Sequence, residues 1–243
     1  MKSTASFAIL QPMPPSEGPR DDGLRRRDAL TLLGGAGLSG LLAGCASSEE
    51  ATGDAASCVL TPEVTEGPYW IDTELTRRDI RAGRPGLPLV IVFTVQNART
   101  CRPIKGADVE IWHCDARGEY SGFEGGASSG TRYLRGHQKA NARGRAKFLT
   151  VFPGWYPGRT PHIHLKVHAG GDVVHTGQVF FDDDVATAVY RRAPYRSRGQ
   201  PDVTNDRDGI YAEAGSSKAQ LKLRRREEGK RGYRGTITLG VAT

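Results

Sequence analysis

The chain has 243 residues, a net charge of +7, 37% hydrophobic and only 7% aromatic residues, and 31 glycines. That length accommodates one substantial domain plus an N-terminal appendage. The basic balance does not point to nucleic acid: the arginines are scattered, and the run LKLRRREEGKRGYRG contains its own acids and reads as solvated surface.

Residues 1–24 form a long leader containing prolines. Arg25-Arg26-Arg27-Asp28-Ala29-Leu30 then leads into the apolar run TLLGGAGLSGLLAGC. A basic stretch before a short apolar one is an export signal, and this one is too short for a stable membrane span. The adjacent arginines point to the twin-arginine route. Leu42-Ala43-Gly44-Cys45 resembles a bacterial lipobox, whose cysteine becomes a lipidated N-terminus. Residues 1–45 are therefore expected to be a signal ending at Cys45, and 46–57 (ASSEEATGDAAS) a flexible tether. Residues 58–243 are the expected folded domain, outside the cytoplasm and held to a membrane by a lipid on Cys45.

Within that domain, PLVIVFTVQ (88–96) is a β-rich apolar run, and GADVEIWHCD (106–115) alternates after a turn. The polar stretch RGHQKANARG reads as surface or turn and precedes the strand RAKFLTVF (145–152). HIHLKVHA (162–169) and DVVHTGQVFFD (172–182) are joined by Gly170-Gly171 as a hairpin. DDVATAVYRR (183–192) is the one helix candidate, and RGTITLGV closes the chain as a strand. Short antiparallel strands with little helix predict a mostly β protein, an antiparallel β-sandwich.

Of four cysteines, Cys45 is the lipidation candidate. Cys58 opens the folded domain and Cys101 follows a strand in a loop, so a Cys58–Cys101 disulfide is expected in a compartment that permits one. Cys114 lies on a strand and reads as a buried thiol.

The segment GWYPGRTPHIHLKV (154–167) concentrates the chemistry. Alternate residues of a strand point to one face, so His162 and His164 project together. Paired imidazoles on a stiff backbone suit a transition metal. Tyr156 lies in the turn-rich loop just upstream, and Tyr120 ends the earlier DARGEY loop. A phenol ionises near pH 10, so tyrosinate at neutral pH needs a strong cation such as Fe(III). Zinc would more usually gather cysteine, histidine and carboxylate.

IWHCDARGEYSGF, RGRAKFLTVFPGWYPGRTPHIHLKV and TGQVFFDDD, in that order, resemble the intradiol ring-cleavage dioxygenases, and CVLTPEVTEGPYWID resembles the opening of their secreted or lipoprotein-type members. The resemblance covers roughly residues 58–190 and implies that family's β-sandwich. It implies one non-haem Fe(III) per chain, with Tyr120 and His162 as equatorial ligands and Tyr156 and His164 as the axial pair. Arg159 and Gln178 match the arginine and glutamine that the family places beside the substrate and the iron ligands. Glu66, Tyr69 and Trp70 would line the pocket by the same analogy, or else form a structural N-terminal strand.

The implied reaction cleaves a catechol-type ring between its two hydroxylated carbons with O2, incorporating both oxygen atoms and giving a cis,cis-muconate-type diacid. Tyr156 would leave the metal and accept a substrate proton, and Arg159 would stabilise negative charge on the ring. The implied partners are a small aromatic diol and O2, without nucleic acid; a homodimer is compatible with the chain. Two departures stand out. The Tyr156-to-His162 interval looks shorter than in cytoplasmic catechol and protocatechuate enzymes, which leaves a more open mouth and points to substituted, lignin- or plant-derived catechols. There is also no room for the helical N-terminal dimerisation region of catechol 1,2-dioxygenases.

The competing reading is a non-catalytic exported binding protein on the same β-sandwich. A hydrolytic zinc enzyme is weaker, because no carboxylate base stands at useful spacing. Among the remaining histidines, His113 neighbours the ligand loop but its strand position equally suits packing, His137 reads as a surface or loop residue, and His168 and His175 beside the Gly-Gly hairpin are expected to be exposed.

Overall fold

The computed structural model describes residues 58–123, 130–227 and 231–243. The signal and tether expected over residues 1–57, with Cys45, lie outside them. Among the described residues no helix is long and apolar enough to cross a membrane.

Eight strands carry the fold: β1 (Pro88–Asn97), β2 (Asp108–Trp112), β3 (Arg135–Lys139), β4 (Arg145–Val151), β5 (His162–Ala169), β6 (Asp172–Phe180), β7 (Lys222–Arg225) and β8 (Tyr233–Val241). They form two four-stranded sheets, ordered β4-β1-β8-β7 and β3-β2-β5-β6. The sandwich is therefore of the expected kind, with one exception: β1 and β8 pair in parallel, Leu89 opposite Tyr233. Chain-distant strands can pair in either sense, and nothing local dictates which. The helix α1 (Asp183–Tyr190) is capped by Asp182, whose side chain accepts from the amides of Asp184 and Val185. It ends two residues before the expected boundary. A second, five-residue helix, α2 (Gly209–Glu213), and the strands β3 and β7 were not foreseen. Both strands are short, polar edge strands with no apolar alternation to mark them.

Alternation places Leu89, Ile91, Phe93 and Val95 of β1 against Val109, Ile111, Ile163, Leu165 and Val167 of the other sheet, all fully buried. The disulfide Cys58–Cys101, with Cα atoms 5.4 Å apart, fixes the start of the described chain to the loop after β1. From there residues 61–80 form a strap over the outer face of β3-β2-β5-β6. Val64 donates to the Thr176 carbonyl on the edge strand β6 (3.1 Å), and the His137 amide on the opposite edge strand donates to Leu75 (2.9 Å). The strap thus covers both edges and the face between them.

Candidate metal centre

The face beneath the strap carries the side chains singled out in the sequence. His162 and His164 project from β5, and in register Trp112 of β2 and Gln178 of β6 flank His164. Tyr120 and Tyr156 arrive from two loops held against each other. The loop after β2 is a tight turn in which the Asp115 carboxylate accepts from the amides of Arg117 (2.8 Å) and Glu119 (3.1 Å) and pairs with Arg84. Gly118 in that turn has φ +84°, and a Cβ there would lie 2.2 Å from the Trp155 carbonyl of the other loop. Only glycine permits that approach.

The four donors converge. The Tyr156 hydroxyl lies 3.0 Å from His162 Nε2, His162 Nε2 lies 3.1 Å from His164 Nε2, and His164 Nε2 lies 3.1 Å from the Tyr120 hydroxyl. Tyr120 and Tyr156 meet edge-on, with ring centres 5.8 Å apart, so the four side chains form one cluster. Two imidazole nitrogens 3.1 Å apart cannot both carry a proton comfortably. His162 settles its own tautomer: Nδ1 is 2.7 Å from the Thr160 carbonyl, which can only accept, so Nδ1 holds the proton and Nε2 a lone pair. Burial, reinforced for His162 by Arg159, lowers its pKa to about 3 and holds His164 well below the usual histidine value. Both rings are thereby kept neutral and able to ligate. Burial also raises the phenols, Tyr120 well above its ordinary value and Tyr156 to about 12 despite the opposing charge of Arg159. Without a cation both stay protonated; a highly charged one would displace their protons.

The donor set fits iron. Bonds of about 2.0–2.1 Å at right angles place neighbouring donors about 2.9 Å apart, close to the contacts observed. The contacts run Tyr120, His164, His162, Tyr156, so the four donors adjoin one another in a single cluster. Trp112 stacks on His164 (5.1 Å between ring centres, 9° between planes) and Tyr69 stacks on Tyr120 (4.2 Å, 11°), so aromatic surfaces wall the site.

Arg159 and Gln178 lie beside these donors as a bonded pair: Arg159 Nη2 donates to Gln178 Oε1 (2.7 Å), and Gln178 Nε2 donates to the strap at the Thr65 carbonyl (2.9 Å). Sequence reasoning missed the residue that holds Arg159. The Asp208 carboxylate accepts from Arg159 Nε (2.8 Å), from the Thr160 amide (3.0 Å), and from the first amides of α2. Burial pushes its pKa up, but Arg159 and these amides outweigh burial and hold it below the ordinary aspartate value. Asp before Gly-Ile-Tyr is a helix-cap signal, yet nothing local ties it to a loop 49 residues earlier. Arg135 was missed as well. It is buried, donates through Nε and Nη2 to Ser121 beside Tyr120 (both 2.9 Å), and burial lowers its pKa to about 10.

The pocket trio divides. Tyr69 and Trp70 both pack against the cluster of Trp112 and Tyr120, and the Trp70 indole also donates to Glu110 (3.1 Å), whereas Glu66 pairs with Lys166 (2.6 Å). The remaining histidines need correction. His175 is buried, not exposed, because the strap crosses it where Glu63 accepts from the Thr176 amide. His168 is half-buried, and His137 lies on β3 and not in a loop. His113 is a packing residue: it bridges the sheets, with Nε2 2.7 Å from Thr150 Oγ1, and burial lowers its pKa to about 4. Cys114 is a buried free thiol.

Residues 62–192, more than half of the chain, match the family model described as dioxygenase. In structure the chain is similar to an intradiol ring-cleavage dioxygenase from Tetranychus urticae, with a TM-score of 0.72, 36% identity, and coverage of 76% of this chain and 95% of that one. The chain belongs to the intradiol ring-cleavage dioxygenase family. Among curated relatives of this family member, it is 31% identical over 174 residues to catechol 1,2-dioxygenase 1 of Acinetobacter lwoffii, covering 61% of this chain and 55% of that protein. It is 28% identical over 145 residues to the protocatechuate 3,4-dioxygenase beta chain of Burkholderia cepacia, covering 53% of this chain and 60% of that one. The matches thus span less than two thirds of those relatives' length. Family membership implies non-haem iron, and Tyr120, Tyr156, His162 and His164 are the residues whose donors could hold it.

Proposed function

We propose that this chain is a non-haem ferric dioxygenase that opens catechol-type rings between their two hydroxylated carbons with O2, giving cis,cis-muconate-type diacids. The observation that carries this reading is the convergence of two phenols and two imidazole nitrogens, each 3.0–3.1 Å from its neighbour, on a buried sheet face. When bound there, ferric iron supplies a Lewis acid that activates an adjacent diol towards O2. The residues supply the rest. Tyr156, in a loop and less buried than Tyr120, is the donor free to turn aside, and its phenolate is basic enough to take a substrate proton. Arg159 places its guanidinium where negative charge builds on the ring, and Gln178 and Asp208 fix its orientation. The Tyr69–Tyr120 stack and the strap exclude water from the site.

The short interval between Tyr156 and His162 favours an open mouth and substituted, lignin- or plant-derived catechols. On the composition of residues 1–45, the protein is exported by the twin-arginine route and tethered through a lipid on Cys45; mass spectrometry of the mature N-terminus tests this. A homodimer is compatible with this reading. The binding-protein alternative is not favoured, since it gives no reason for two phenols and two neutral imidazoles to be buried together.

Ferric loading of the purified protein tests the main reading. Iron equimolar with the chain, a broad visible tyrosinate charge-transfer band that shifts with catechol under nitrogen, and O2 uptake across a catechol panel are expected. A protein that stays colourless after loading and consumes no O2 refutes it.

A further inference from the structure

The face that carries the four donors continues along β2, β3 and β5 to a second cluster. Glu110, His137 and His168 each offer one ligand atom, all within 4.8 Å of one another. His137 sits opposite Glu110 in register on β3, and His168 is its diagonal neighbour on β5. A register shift between Val167 and His168 re-aims the latter. His137 Nε2 lies 3.6 Å from Glu110 Oε1, and His168 Nε2 lies 3.5 Å from Glu110 Oε2.

Those two ring nitrogens are buried and find no hydrogen-bond partner among the described residues, although a nearly fully buried carboxylate stands between them. The spacing is too long for good hydrogen bonds. One ligand atom from each of the three residues lies within 4.8 Å of the others, close enough for one cation to draw them together. Lys166, directly opposite Glu110, does not neutralise it: its ammonium turns to Glu66 (2.6 Å) and lies over the Trp70 ring (3.6 Å). The other nitrogen of His137, Nδ1, faces the Asp108 carboxylate at 3.5 Å, which places a second negative charge beside the cluster. Glu110 and Asp108 together balance a doubly charged cation.

We propose that Glu110, His137 and His168 form a second cation site, selective for a divalent transition metal of the zinc class and separate from the tyrosine-containing centre. His168 is four residues beyond His164 on β5, about 13 Å along the strand. Two imidazoles and one carboxylate are a zinc donor set; no phenol takes part, so the site has no affinity-determining reason to prefer Fe(III). The cation would clip three adjacent strands. Through the Trp70–Glu110 hydrogen bond it would also hold the strap, and with it Tyr69 over Tyr120.

The test is zinc retained after dialysis of iron-treated full-length protein, compared with the double variant His137→Ala, His168→Ala. One zinc per chain in the wild type, lost in the double variant, is expected, together with a melting temperature raised by zinc only in the wild type. The difference between the two proteins reads this site whether or not iron fills the other, so failure of the dioxygenase reading leaves the result interpretable. If the double variant does not fold, the conservative single variant His168→Gln takes its place in the comparison, with zinc-edge X-ray absorption of the wild type expected to show two imidazoles and otherwise only light donors. No retained zinc, zinc retained equally by the folded variant, or a sulfur-containing zinc shell overturns the proposal.

Discussion

The two sheets present the same kind of surface to the core and opposite kinds outward. On β4-β1-β8-β7, the outward polar residues, Arg234 and Thr238 among them, are exposed to solvent. On β3-β2-β5-β6, the outward residues are no less polar, but Glu110, Arg135, His162, His164 and Gln178 are buried under the strap. Burying polar groups is costly unless each finds a partner. The first sheet avoids that cost through water; the second meets it with hydrogen bonds, and in doing so gathers imidazole and phenol donors that could ligate a cation. A polar sheet face beneath a covering segment therefore marks the chemistry here more clearly than any cavity does. The groove of about 590 Å³ beside Leu60, Lys218 and Ile237 lies over the other sheet and has no histidine or carboxylate in its lining.

Breaking the buried face should produce the largest effects. Replacing His162 by Ala removes a central donor of the cluster; loss of iron, of the visible band and of O2 uptake is expected, read by metal analysis and an oxygen electrode. Asp208→Asn should retain iron and colour but lower kcat by about 10–100-fold, the usual cost of losing a partner that orients a site residue. The same variant carries a pH signature. The Asp208 carboxyl is held below its ordinary value, so its stabilisation is present above about pH 4 and is lost as pH falls through the lower folded value. Melting temperatures of wild type and variant should therefore converge on acidification from pH 5; curves that stay parallel would refute Asp208 as a charged anchor.

Gly67→Ala tests the strap at one point. Gly67 has φ +73°, and an added Cβ would sit 3.1 Å from His164 Cε1. A loss of about 1–2 kcal/mol from backbone strain, with a shifted visible band from a displaced His164, is expected in denaturant melts and absorption spectra. The smallest effect belongs to the exposed face: Arg234→Gln should change stability by no more than about 0.5 kcal/mol and leave O2 uptake unchanged. A larger change would mean that the two outer faces differ less than their burial implies.

Much of this was legible in the chain itself, because periodicity and motif spacing are local. The two-residue step from His162 to His164 places both rings on one face wherever that strand goes, and the apolar alternation of β1, β4, β5, β6 and β8 marks strands whatever their neighbours. The positions of Tyr120, Arg159 and Gln178 could be anticipated through resemblance to a family. What the chain could not disclose lies across long sequence separations. Asp208 reaches Arg159 only because α2 packs against the Tyr156 loop, and Glu110, His137 and His168 meet only because β3, β2 and β5 pair in one register. His175 read as exposed until the strap covered it. Strand pairing, its sense and the path of a covering segment follow from which surfaces exclude water together, a property of the assembled sandwich and not of any stretch within it.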